Sequence, residues 1–279
     1  PARFHGGVND ALLAALALAV ARWRRDRGVD EPSALVRLEG HGREEEVVPG
    51  ADLGRTVGWF TTMYPVRLDL SGVDLDDAFA GGRAAGTAIK AVKENLRAVP
   101  DKGIGYGLLR YLDPAAGAVL GSLPAGQISF NYLGRIDAGE IPEGAAGLGW
   151  LPAGDLGDLS GRDDADAPAM ATIDINAVVI GGRLGANIGY ASGLLGRDDV
   201  EKLAQLWVRA LEALAAHAAR PDSGGLTPSD VPLVHVGQSD LDTWETRYPT
   251  LVDAWPLAPS NRCGRLAPVR ASPLLTRHC

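Results

Sequence analysis

At Gly181-Gly182 the chain has to turn back on itself. The preceding stretch, Ala171–Ile180, is rich in β-branched residues and reads as a strand, and Arg183–Tyr190 reads as its return. A Gly-Gly pair between two such runs is a hairpin signal, because the tight turns that match strand twist need positive φ. One antiparallel strand pair is therefore expected, and everything else must be arranged around it.

The remaining pattern mixes helices with strands. Residues 8–25 carry a broad apolar face through Leu12, Leu13, Leu16, Leu18, Ala19 and Trp23, with Asn9 and Asp10 as candidate N-caps. A helix is expected over 74–98, stopped by Pro100, and another over 197–219 with Val200, Leu203, Leu206, Trp207, Leu211 and Leu214 on one side. Ala34–Leu38, Val57–Val66 and Ile128–Leu133 read as strands. Gly103–Gly107 reads as a glycine-rich turn leading into a short helix through Leu108, Leu109 and Leu112, and 138–168 as a long irregular excursion. Strands and helices so interspersed, with one hairpin, give an α/β or α+β fold on a mixed sheet.

Composition narrows the function classes. The net charge of −8 argues against a nucleic-acid binder, which needs a clustered basic surface. No apolar run reaches the roughly 20 residues of a membrane span. Both cysteines, Cys263 and Cys279, lie in the last segment, so the body holds no disulfide framework and no cysteine-based zinc site, and a cytoplasmic location is the simpler expectation.

Four blocks recur in a meaningful order: Glu39-Gly-His-Gly-Arg-Glu44; Arg55-Thr-Val-Gly-Trp-Phe-Thr61 with Tyr64-Pro65; Pro100-Asp-Lys-Gly-Ile-Gly-Tyr-Gly107; and Phe130-Asn-Tyr-Leu-Gly-Arg135. Together, and with Val8–Leu13 ahead of them, they resemble the later core motifs of the epimerization domains of nonribosomal peptide synthetases. The resemblance covers roughly residues 8–215. It implies a chloramphenicol-acetyltransferase-like fold of two α/β subdomains with the active site in the cleft between them. This chain then corresponds to the C-terminal subdomain, over 1–220. The N-terminal subdomain of such a domain carries a His-His-x-x-x-Asp-Gly motif. None of the five histidines here adjoins another, so that motif is expected on a missing subdomain and the chain alone is expected to be inactive. Segment 221–260 resembles the linker into a following condensation domain, and 261–279 reads as an irregular, disordered tail.

The implied reaction inverts the Cα of an aminoacyl or peptidyl thioester on a peptidyl carrier protein. It needs a base, an acid and donors for the enolate oxygen. No cofactor is expected to bind directly, since the substrate rides on the 4'-phosphopantetheine of the carrier domain. By resemblance, Glu39 is the catalytic carboxylate, its pKa raised by partial burial. Read without the motif it is a solvated acid. Asn131 and Tyr132 are the accompanying catalytic candidates, as holder of the substrate carbonyl and as donor or proton relay. His41, Trp59, Tyr64 and Tyr106 are candidate substrate-binding residues; for His41 a structural role is the stronger reading, and for Trp59 and Tyr64 a place in the core and cleft wall. Arg43 is expected to pair with Glu44. The spacing of Gly103, Gly105 and Gly107 fits no phosphate-binding loop. Two other readings stay open: a condensation domain forming peptide bonds on the same fold, and a non-catalytic fragment that binds a carrier protein.

Overall fold

The computed structural model describes residues 2–136 and 169–256. Its strands are β1 (Ser33–His41), β2 (Thr61–Asp69), β3 (Ile128–Ile136), β4 (Ile173–Ile180) and β5 (Arg183–Tyr190). They form a five-stranded sheet in the order β2-β1-β3-β4-β5. β1 and β4 each run parallel to β3, whereas β5 runs antiparallel to β4 from Ile173 opposite Tyr190 to Ile180 opposite Arg183. The expected hairpin is present, with Gly181 and Gly182 at φ of 55° and 75°. The helices are α1 (Val8–Arg25), α2 (Leu75–Phe79), α3 (Arg83–Arg97), α4 (Ile104–Tyr111), α5 (Pro114–Ser122), α6 (Arg197–Ala218) and α7 (Gln238–Arg247).

The chain divides into two compact units, and residues 1–220 contribute to both. Unit 1 comprises Pro1–Ala34, Val66–Lys102 and Glu201–Cys279. Its centre is α1, buried on all sides from Leu12 to Ala21. The Trp207 indole N–H of α6 donates to the Leu12 carbonyl at 3.1 Å. Unlike the N-cap expectation at Asn9 or Asp10, the N-cap of α1 is Gly7, and Asp10 at the third helical position accepts the Gly7 N–H at 2.8 Å. The helix expected over 74–98 is two helices. Asp77, in the middle of α2, turns its carboxylate to the Ala84 N–H at 2.8 Å and so satisfies a donor at the start of α3.

The stretch read as a linker is folded against unit 1. Leu226, Val231, Val234, Leu241 and Ala254 form a small apolar cluster. Beside it, Lys93 of α3 is 1% exposed and donates to both oxygens of Asp230 at 2.6 Å and to the Phe4 carbonyl at 3.0 Å. Burial opposes the charge on Asp230. Hydrogen bonds from Lys93 and from Thr227 outweigh that penalty and hold its carboxyl below the usual range.

Unit 2 comprises Leu35–Pro65 and Gly103–Val200. Side chains alternate across a strand, and one face of the unit 2 sheet is apolar: Val36 and Leu38 lie beside Ile128 and Phe130, which lie beside Ile173 and Ile175, all buried. β2 begins at Thr61 rather than Val57 and runs on past Pro65. Gly105 to Gly107 are helical rather than a turn, because α4 starts directly after Gly103. A further helix, α5, follows, with Asp113 accepting from the Ala115 and Ala116 N–H groups and Pro114 at its first position. The expected excursion at 138–168 and the tail at 261–279 lie outside the described residues.

Candidate functional site

The candidate residues Glu39, His41 and Asn131 lie on the polar face of the unit 2 sheet. On β1, the alternation that buries Val36 and Leu38 turns Arg37, Glu39 and His41 to the other side. On β3, Ser129 and Asn131 share that side, in register with Asp174 and Asn176 of β4. Val36, Arg37 and Leu38 pair with Ile128, Ser129 and Phe130, so Glu39 and Asn131 are the next residues along two neighbouring strands, on one face.

A hydrogen-bonded row crosses three strands there. His41 Nε2 lies 2.7 Å from Asn131 Oδ1. The Asn131 amide N–H donates to Asn176 Oδ1 at 3.2 Å, and the Asn176 amide N–H donates to Asp174 Oδ2 at 2.7 Å. On the other side of the imidazole, Nδ1 lies 3.3 Å from Thr61 Oγ1. Asn131 is buried, and His41 at the strand end is exposed. Glu39 is half-buried, and its carboxylate holds no hydrogen bond or ion pair among the described residues. The row thus holds the Asn131 amide on the same sheet face as the Glu39 carboxylate.

Asp174 and Asn176 were not singled out from sequence. Their signal was two polar residues alternating with Ile173, Ile175 and Ala177, a pattern that puts both on one face of the strand.

Tyr132 does not join this group. It pairs with the buried Ala177, and alternation sends it to the face opposite Asn131. Of the three catalytic candidates, Glu39 and Asn131 thus share a sheet face and Tyr132 lies on the other. Trp59, expected in a cleft wall, is 90% exposed, because the strand starts two residues after it and residues 57–60 form a loop. Arg43 braces that loop: its guanidinium donates to the Leu53 and Thr56 carbonyls at 2.7 and 2.8 Å and lies over the Phe60 ring.

Tyr64 and Tyr106 do come together. They line a cavity of about 580 Å³ with Arg37, Thr61 and residues of α4 and α5. Burial, with Glu44 adding to it, raises the Tyr64 phenol above its ordinary value and keeps it a neutral donor. The cavity borders the polar row, since Arg37 precedes Glu39 on the same face and Thr61 contacts His41. A larger cavity of about 970 Å³ lies within unit 1, lined by none of the expected residues. One of its cations, Lys90, is paired with Asp242 and Glu245. Among the described residues, no cluster of histidine, cysteine and carboxylate side chains could hold a metal ion.

Residues 5–231 match the condensation domain family. The chain is 36% identical over 245 residues to bacitracin synthase 3 of Bacillus licheniformis, covering 88% of this chain and 4% of that protein. It is 39% identical over 242 residues to chondramide synthase cmdD of Chondromyces crocatus, covering 87% of this chain and 6% of that one. Among solved structures, the epimerization domain from the third module of tyrocidine synthetase B is similar at a TM-score of 0.57 and 31% identity, over 77% of this chain and 44% of that one. The chain thus spans a small fraction of these synthases and less than half of the solved domain.

Proposed function

The chain belongs to the condensation domain family, and from that premise we propose that its polar sheet face carries one side of an epimerization site for carrier-bound thioesters. The observation that carries the reading is the placement of Glu39 next to Asn131 on one sheet face. Its support from outside is the 31% identity to a solved epimerization domain.

In this reading the substrate is an aminoacyl or peptidyl thioester on the phosphopantetheine of a carrier domain. The Glu39 carboxylate takes the α-proton. The electron pair of the broken C–H bond moves into the thioester carbonyl, giving an enolate. The second amide proton of Asn131, unused by the row, donates to the enolate oxygen. A donor aimed at developing charge contributes about 10²–10³ in rate, and a positioned base about 10²–10⁴. Return of a proton to the opposite face of Cα requires an acid, assigned to an N-terminal subdomain with a His-His-x-x-x-Asp-Gly motif. The cavity beside Tyr64 and Tyr106 accommodates the substrate side chain or pantetheine arm.

The family match favours one competing activity, peptide-bond formation. The Glu39–Glu44 block and Arg55–Thr61 argue against it, because condensation domains typically lack the former. The test supplies the chain with an N-terminal subdomain and an aminoacyl carrier thioester in D₂O. Deuterium uptake at Cα supports epimerization. Amide product without uptake refutes it in favour of condensation. Carrier binding with neither product leaves the chain a non-catalytic scaffold and refutes both.

A further inference from the structure

We infer that Asp174 is a positioning residue, setting the direction of the hydrogen-bonded row and thereby the tautomer of His41 and the orientation of the Asn131 amide. The inference deepens the site reading above and rests on it only where catalysis is concerned.

Donor and acceptor chemistry fixes the direction. A carboxylate has oxygens only and accepts. Asn176, 2.7 Å from Asp174 Oδ2, must therefore present its NH₂ group to Asp174. That leaves Asn176 Oδ1 as the acceptor facing Asn131, 3.2 Å from its Nδ2. Asn131 in turn shows Oδ1 to His41 at 2.7 Å. An amide oxygen accepts, so His41 Nε2 must carry a proton. The opposite nitrogen, Nδ1, is then the acceptor of the neutral ring, and the Thr61 hydroxyl 3.3 Å away can donate to it. Every link satisfies its neighbour in one direction only, and the residue that forbids the reverse direction is Asp174. Amide and imidazole orientations follow from such networks.

The consequence for the site is geometric. With Asn131 Oδ1 committed to His41 and one Nδ2 proton committed to Asn176, the remaining Nδ2 proton is fixed in space. A reversed row exchanges the nitrogen and oxygen of Asn131, which displaces that donor. Asp174 has no need to touch substrate to have this effect. Asp174→Asn keeps the shape of the side chain but lets it donate as well as accept, so both directions become available.

The test uses the full chain with ¹⁵N-labelled histidine, the His41 resonances being identified by their loss in His41→Gln. With the ring neutral, the wild type should show a protonated Nε2 and an unprotonated Nδ1. In Asp174→Asn, the Nδ1-protonated tautomer should appear alongside it. Asn176→Ala, which cuts the row at its middle, should do the same. A wild-type ring protonated at Nδ1 overturns the inference, as does an unchanged tautomer in folded Asp174→Asn. Because the wild type alone tests direction, a variant that fails to fold does not blunt the experiment. In the reconstituted exchange assay, Asp174→Asn should lower kcat by about 10–10²-fold with KM nearly unchanged, the range expected from a misplaced catalytic group. Absence of exchange in the wild type refutes the epimerization reading but leaves the tautomer result standing. A normal kcat with an altered tautomer refutes the positioning role.

Discussion

Position 103 shows how one residue can be doubly constrained. Gly103 caps α4 with φ of 82°, a conformation that costs a residue with a Cβ about 1–3 kcal/mol. Any Cβ there would also run into the Tyr64 ring. Gly103→Ala should therefore destabilise unit 2 by at least about 2 kcal/mol, read as a lower midpoint in urea. It should also move Tyr64 within the cavity, read as a change in tyrosine fluorescence. At the site itself, Asn131→Ala removes the donor proposed for the enolate. It also leaves His41 and Asn176 without the amide between them. We expect Cα exchange to fall by about 10²–10³-fold, measured at saturating substrate.

Secondary elements were legible where period and turn chemistry agreed. The Ile173–Tyr190 hairpin follows from a β-branched run and a Gly-Gly turn, and α1 from its apolar face. Burial overrode pattern elsewhere. Residues 57–60 look like strand, yet Val57 and Trp59 are almost fully exposed and pairing starts at Thr61. Gly105 and Gly107 suggested a turn, but a helix tolerates isolated glycines, here at about 1 kcal/mol each. Glu39, His41 and Asn131 were named by motif, and strand alternation explains why they share a face. The same alternation, applied to two consecutive residues of β3, separates Tyr132 from Asn131, a consequence that motif resemblance does not convey. Asp174 and Asn176 were missed because their partners are set by strand order, which no local pattern encodes.

At the scale of the whole molecule, the segment from Leu226 to Ala254 belongs to unit 1, and Lys93–Asp230 is the most buried of the ion pairs that tie it to α3. Removing one member of a buried pair leaves the other charge uncompensated, at about 3–5 kcal/mol. Asp230→Asn should lower the unfolding free energy by that order near pH 7. Because the folded-state pKa of Asp230 is depressed, its contribution is complete above the unfolded value of about 4 and is lost as pH falls through the folded value. The gap between wild type and variant should close with acidification below about pH 4, as followed by urea titration at each pH. Among the described residues no helix is long and apolar enough to cross a membrane. The synthases matched are many times longer than this chain, so its chemistry is proposed as one step on a larger assembly. That step turns on one carboxylate. The deciding measurement is deuterium uptake at Cα of a carrier-bound aminoacyl thioester by the reconstituted domain carrying Glu39→Gln. The account predicts uptake in wild type and none above background in the variant, with folding and carrier binding intact. Uptake in the variant at a rate near wild type would contradict it.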